Sequence, residues 1–454
     1  MTELTAQLAS FAATVSYDSL PPETVQSLKR IVLDCLGTSL AATTLGTGSP
    51  ELLRLTESGL PGECTVFGTK VKAPAAGAAL ANGGLAHALN YDDFLSAAGV
   101  HLGVTSVPAA IAVAEAKGAV SGEELLAGLA AGNELMARLG FAIQHASRGY
   151  TETRPQLTQM LGYFNAAVSA AHVLGADEQQ MRSALGLAFM QCAGGRQPVV
   201  EGTPAKALYA AFPSQVGVQC AQLAMEGLEA GCAAFEGDAG LFATYFGGRY
   251  DPEPLTDRLG EQYRLAEASF KPWPTTSVAH VFIEAGIGLA EQHDIHPEDV
   301  AEVRIQGQDH IRTFCEPAAT RQAPRTAVEA EDSVPFAVAK AIANRHVGLG
   351  DFTPAGLAQA EALALASRLR YTTESSMGEA GVVEVVTKRD ETFRARVEKP
   401  FGHPSRPLSD DQLVAKFRDC AAHASVPVDP HRVVELVFGL DQLGDVRELI
   451  AALS

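Results

Sequence analysis

Before residue 260 the chain holds almost no strand periodicity, and this rules out a sheet-based architecture for more than half of its 454 residues. Apolar residues recur there at helical spacing instead. From Ser19-Leu-Pro-Pro-Glu-Thr, a helix start, the pattern runs to about Ala42, with Ile31, Leu33, Cys35, Leu36 and Leu40 largely on one face. Further helices are expected over 4–16, 73–91, 104–118, 121–140, 162–174, 178–193, 204–229 and 231–236. Ser121-Gly-Glu-Glu opens the fourth of these, and Gly175-Ala-Asp joins a helical pair. Only 63–69 (ECTVFGT) reads as a short strand or extended loop. Helices this rich in small residues, such as one carrying Ala81, Gly83, Gly84 and Ala86, pack backbone-close.

Near Glu261 the texture changes. Residues 263–266 and 300–306 read as strands, while 382–387 and 392–397 flank the polar turn Lys388-Arg-Asp-Glu and predict a hairpin. Helices are expected over 280–292, 333–343 and 354–366. After the linker Phe401-Gly-His-Pro-Ser-Arg-Pro, the tail from Ser409 is helical again, with Leu413, Phe417 and Cys420 on one face. The expected fold is mainly α. A large all-α domain is built from both chain ends (1–266 and 400–454) around an inserted α+β lid domain (267–399).

A net charge of −19 argues against non-specific binding to nucleic acid or an anionic membrane. An anionic substrate therefore needs a locally basic pocket. Seven scattered cysteines without CxxC pairing fit a reducing compartment. The N-terminus shows no secretory pattern and no apolar run reaches the ~18 residues of a membrane span, so a cytoplasmic protein is expected.

The sequence has no GxxxxGK[ST], HExxH or GxSxG and no GxGxxG after a strand, and its His and Cys spacings suggest no metal cage. An enzyme with these residues would work with side chains alone, without cofactor or metal. Four segments carry candidate chemistry. The first, Ala81–Pro108 (ANGGLAHALNYDDFLSAAGVHLGVTSVP), presents His87, Asp92, Asp93 and His101 around a small-residue loop. The second, SRGYTETRPQLTQMLG (147–162), has Arg148, Tyr150 and Arg154 past a helix end. The third, EGTPAKALYAAF (201–212), has Lys206 as its only cation, and burial would lower its pKa toward that of a usable base. The fourth, KPWPTTSVAH (271–280), holds Lys271, the chain's only Trp, and His280. Each also has a plain reading: a capped loop, a surface or snorkelling lysine, a satisfied core histidine.

In this order the segments resemble the MmgE/PrpD family, which contains 2-methylcitrate dehydratase, cis-aconitate decarboxylase and iminodisuccinate epimerase. The resemblance rests on the block at Asn82–Gly103, SGEELLAGLAAGNELMARLG, GYFNAAVSAAHVLGAD, EGTPAKALYAA, KPWPTTSVAH and GHPSRPLSDDQLVAKF. It implies a helical domain with an inserted lid, an active site in the cleft, and a homodimer. It also implies site residues at Asp93, His101, Lys206 and Lys271, with His280 a motif histidine. Two positions depart from the family's lyases. Gln156 stands where they carry a His, and Phe336 in Ser333-Val-Pro-Phe where they carry a Tyr. Gln exchanges no proton near neutrality and Phe has no hydroxyl.

The resemblance thus implies abstraction of a proton alpha to a carboxylate on a small di- or tricarboxylate. Lys206 and His101 form the proton-transfer pair and Asp93 orients or charge-stabilises His101. Tyr150 supplies a donor, and Lys271, Arg154 and Arg148 bind carboxylates, with Gln156 and His280 also lining the site. The two departures weaken dehydration or decarboxylation and favour epimerisation, which needs only two groups on opposite faces of one carbon. A lyase is the alternative, and a non-catalytic dicarboxylate-binding relative a further one.

Overall fold

The computed structural model describes residues 4–146 and 155–454. They form a mainly α fold that divides into two compact units: 1–88, 92–269 and 409–454 in the first, 89–91 and 270–408 in the second.

The first unit begins with helices α1 (Leu4–Thr14), α2 (Pro22–Leu45) and α3 (Ser49–Glu57). Pro22 occupies the first turn of α2, where its fixed φ suits the helix and its missing N–H costs nothing. The two-residue strands β1 (Cys64–Thr65) and β2 (Lys72–Ala73) pair antiparallel. Helices α4 (Ala75–His87), α5 (Gly103–Lys117), α6 (Gly122–Ala146), α7 (Leu157–Leu174), α8 (Glu178–Gln191) and α9 (Leu208–Met225) follow. At the start of α6 the Ser121 hydroxyl accepts from the Glu124 N–H while the Glu124 carboxylate accepts from the Ser121 N–H. Asp177 and Gln180 do the same for α8.

Small residues set the helix spacing. A Cβ on Gly83 would lie 2.5 Å from Ser214 Oγ and 2.7 Å from the Ala210 carbonyl, so α4 and α9 touch through backbone. A Cβ on Gly217 would meet Ala166 Cβ at 2.4 Å, which brings α9 equally close to α7. Such contacts need no aromatic filling, and the chain's low aromatic content, 6%, follows from them.

The second unit holds α10 (His280–Gln292), β3 (Val300–Gly307), α11 (Val334–Asn344), α12 (Ala360–Ser367), β4 (Leu369–Thr373), β5 (Gly381–Thr387) and β6 (Thr392–Val397). Its sheet has the order β4-β3-β5-β6, with β3–β4 parallel and the other two pairs antiparallel. In the β5–β6 hairpin Val383 faces Ala395. Alternation along β3 and β5 puts Val303, Ile305, Val383 and Val385 into a core shared with Phe282 and Ile283 of α10 and Phe336 and Val338 of α11.

The chain then returns to the first unit through α13 (Asp410–Ala421) and α14 (Pro430–Phe438). Ser409 caps α13, and Lys416 on that helix forms a buried ion pair with Asp34 of α2 at 2.6 Å.

Several local expectations are corrected. Residues 263–266 are not a strand: Arg264–Glu267 is a short 3-10 turn, and the Leu265 N–H donates to the buried Glu134 carboxylate rather than to a neighbouring strand. Residues 231–236 form turns, not a helix. The helix expected over 354–366 is two pieces, Pro354–Leu357 and α12. β4 was not expected at all. Its five residues alternate only weakly, and pairing with β3 makes it a strand.

Candidate functional site

The stretch between α4 and α5 is a short loop tied down along its length. Phe94 and Ser269 exchange backbone hydrogen bonds at 2.9 and 3.0 Å, and the Leu95 N–H donates to the Val100 carbonyl at 2.8 Å. The Asn165 amide donates to the Leu102 carbonyl at 2.9 Å. His101 emerges from this frame one residue before the turn into α5, and its own N–H donates to the Thr158 hydroxyl.

His101 Nδ1 lies 2.6 Å from the Asp93 carbonyl oxygen and 2.6 Å from Asp92 Oδ2. A carbonyl oxygen can only accept, so in the neutral ring Nδ1 carries the proton and Nε2 the lone pair. The ring is packed against Phe94, with centroids 4.8 Å apart, and edge-on to His87 at 5.0 Å. His87 Nδ1 is 3.0 Å from the same Asp92 Oδ2. Two imidazoles thus share one carboxylate oxygen, with Asp92 fully buried. Among the described residues His87 Nε2 has no hydrogen-bond partner.

Asp93 has a different job from the one expected. Its carboxylate does not meet His101. Oδ2 accepts from the Leu102 N–H at 2.8 Å and Oδ1 from the Gly103 N–H at 2.9 Å, so it caps the start of α5. Only its backbone carbonyl touches His101. Gly103 makes the cap possible, since a Cβ there would stand 2.8 Å from Asp93 Oδ1 and 2.8 Å from Ile31 Cγ2. Burial, with Asp34 and Asp92 nearby, raises the Asp93 pKa to about 7 against the lowering pull of its two backbone donors. Asp92, one residue earlier, is the carboxylate that orients His101. The orienting contact expected of Asp93 is thus made by Asp92, and His87 shares the same carboxylate oxygen.

The side chains of His87, Asp92 and His101 each offer an atom of a kind that ligates metals, all within 4.8 Å of one another. Linear spacing gave no sign of this convergence. Hydrogen bonds among these three side chains account for their closeness, and we assign no metal to it.

Lys206 is buried in the 3-10 turn Pro204–Ala207, which packs against α4 and α9. Gln156 precedes α7 as its N-cap, and its N–H donates to the Gly194 carbonyl. Arg148, Tyr150 and Arg154 lie outside the described residues.

In the second unit, Lys271 is buried and its Nζ donates to the Asn90 carbonyl at 2.9 Å and to Asn90 Oδ1 at 2.8 Å. The Asn90 amide nitrogen donates in turn to Asp332 Oδ1 at 3.1 Å. The Tyr91 hydroxyl donates to the Pro272 carbonyl. His280 is buried at the start of α10, edge-on to Trp273 with centroids 5.4 Å apart. Phe336 is fully buried in the second unit's core, beside Phe352 at 6.3 Å, and packing accounts for its identity.

What the first unit offers chemically is a histidine of fixed tautomer backed by a buried carboxylate, and a buried lysine, Lys206; the second unit holds the buried Lys271. Among the described residues no single helix is long and apolar enough to cross a membrane.

Comparison with known proteins finds two family models along the chain. Residues 6–253 match the model of the MmgE/PrpD N-terminal domain, and 273–439 that of the MmgE/PrpD C-terminal domain. Curated relatives match over nearly their whole length. A cis-aconitate decarboxylase-like protein, oryM, from Aspergillus oryzae is 26% identical, covering 99% of this chain and 97% of its own. Cis-aconitate decarboxylase of Aspergillus terreus is 23% identical, covering 99% and 96%. The Homo sapiens cis-aconitate decarboxylase is 24% identical, covering 96% and 91%. With both domain models matched in order, the chain belongs to the MmgE/PrpD family.

Proposed function

We propose that the protein is a lyase that moves a proton at a carbon of a small di- or tricarboxylate, with His101 as the proton carrier. The observation that carries this reading is the His101 ring, its Nδ1–H held by Asp92 and the Asp93 carbonyl at 2.6 Å each. Neutral, such a ring takes a proton at Nε2. Protonated, it is an imidazolium stabilised through Nδ1–H by the Asp92 carboxylate, and it gives the proton back. Asp93 acts on this group through its backbone and through the start of α5. Lys206 is the second acid–base group, and Lys271 with His280 binds carboxylate. Arg148, Arg154 and Tyr150 keep their proposed parts as clamp and donor.

Lyase chemistry is favoured over epimerisation because the relatives named above are cis-aconitate decarboxylases or decarboxylase-like. In a decarboxylation the C–CO₂⁻ bond breaks, carbon dioxide leaves and the electron pair stays on carbon. The His101 imidazolium then delivers its Nε2 proton to that carbon. Epimerisation remains a second reading because Gln156 replaces a histidine that the family's lyases carry.

NMR in deuterated water separates the two. The protein is incubated with cis-aconitate, citrate-like acids and amino-dicarboxylates. Loss of carbon dioxide or water from one of them supports the lyase reading. Deuterium entering the carbon alpha to a carboxylate, with no other change of mass, supports the epimerase. No exchange and no product with any of them overturns both.

A further inference from the structure

We propose that Asn90 is a positioning residue for Lys271, and that its neutral side chain tunes the site toward more highly charged anions. This deepens the reading of Lys271 as a carboxylate-binding cation, and rests on that reading for the ligand but not for the contact. Asn90 grips the ammonium at two points, through its carbonyl at 2.9 Å and its Oδ1 at 2.8 Å. Its amide nitrogen donates to Asp332 Oδ1 at 3.1 Å, which fixes which end of the amide faces the lysine. All three residues are buried.

The backbone is committed to the same end. Asn90 sits at φ +50°, a left-handed conformation that Asn tolerates better than most residues, and in it both oxygens accept from the one ammonium. The Tyr91–Pro272 hydrogen bond pins the next residue to the segment that carries Lys271. These contacts explain why the tripeptide 89–91 groups with the second unit although the residues on either side belong to the first. An aspartate would fill the same volume and satisfy the same ammonium, but it would add a negative charge 2.8 Å from Nζ and, with no N–H to give, set a second carboxylate against Asp332 where the amide now donates at 3.1 Å. A neutral partner leaves that much more positive potential for a bound carboxylate.

The test compares the full-length protein with Asn90→Asp and Asn90→Gly, each also in a Lys271→Met background. Calorimetry with cis-aconitate as probe reads affinity. Acetylation of Lys271 by acetic anhydride, followed by peptide mass spectrometry, reads the ammonium directly without any ligand. Asn90→Asp should weaken the probe by about tenfold or more and slow Lys271 acetylation by about tenfold at fixed pH, since an adjacent opposite charge shifts a pKa by roughly one unit or more. Asn90→Gly accepts the left-handed backbone and keeps the carbonyl acceptor, so it should fold and fall between the two in affinity. In the Lys271→Met background Asn90→Asp should have no further effect on binding.

Equal Lys271 acetylation in wild type and Asn90→Asp overturns the proposal, as does an affinity loss that persists without Lys271. If acetylation slows but wild type neither binds nor converts cis-aconitate, the positioning role stands and the lyase reading fails for that compound.

Discussion

Replacing Asp93 by Asn should reverse the order of stability between variant and wild type as pH rises. Buried beside Asp34 and Asp92, Asp93 has its pKa raised from 3.8 to about 7. The folded state therefore holds this proton between about pH 4 and 7, where the unfolded chain releases it. Stability from this group is present below the unfolded pKa and is lost as pH climbs through the window. A shift of about three units corresponds to about 4 kcal/mol at 1.36 kcal/mol per unit. Asn keeps one acceptor for the two N–H groups of Leu102 and Gly103 and loses the other, at a cost of about 1 kcal/mol. Near pH 4 the two proteins should lie within about 1 kcal/mol of each other, and at pH 8 the variant should be the more stable by about 3 kcal/mol. Urea unfolding at half-unit pH steps reads the difference, which cancels the titration of carboxylates that do not interact with Asp93. A difference that stays constant from pH 4 to 8 refutes the environment assigned to Asp93.

Asp92→Asn should leave the fold intact but lower turnover by about 10²–10⁴-fold, because an amide can present its nitrogen to Nδ1 and let the wrong tautomer form. Steady-state kinetics read this, and less than a threefold change contradicts the role of Asp92. Lys416→Met should destabilise by roughly 3–5 kcal/mol by leaving the buried Asp34 carboxylate without this partner, and Asp34→Asn in the same chain should recover much of it. Denaturant midpoints of the three proteins check that recovery. Gly103→Ala should cost roughly 1–3 kcal/mol, since its Cβ would stand 2.8 Å from both Asp93 Oδ1 and Ile31 Cγ2, and a thermal melt measures it.

The parts legible in the sequence are those that period and capping chemistry encode. Long helices such as α6 and α8 carry their own start signals, and the β5–β6 hairpin is marked by two strands around a polar turn. The stretch holding His101 stood out because titratable groups flank small residues. Which of two adjacent aspartates meets the histidine was not legible. Neighbouring residues in a loop point in directions set by local φ and ψ, and these follow from Phe94–Ser269 and Leu95–Val100 pairing that no spacing rule reveals. That His87 shares the Asp92 oxygen was not legible for the same reason: the contact forms only when the end of α4 and the loop are folded together. β4 and the turns at 231–236 depend on distant partners rather than on local pattern. Asn90 gave no signal, because its importance lies in a lysine 181 positions away.

The central claim is that His101 carries the proton. His101→Gln, shown by its melting curve to be folded, is compared with wild type in deuterated water on whichever carboxylate wild type converts. The account predicts that product formation and solvent-derived deuterium at the reacting carbon both fall by about 10²-fold or more. Turnover and labelling equal to wild type would contradict it.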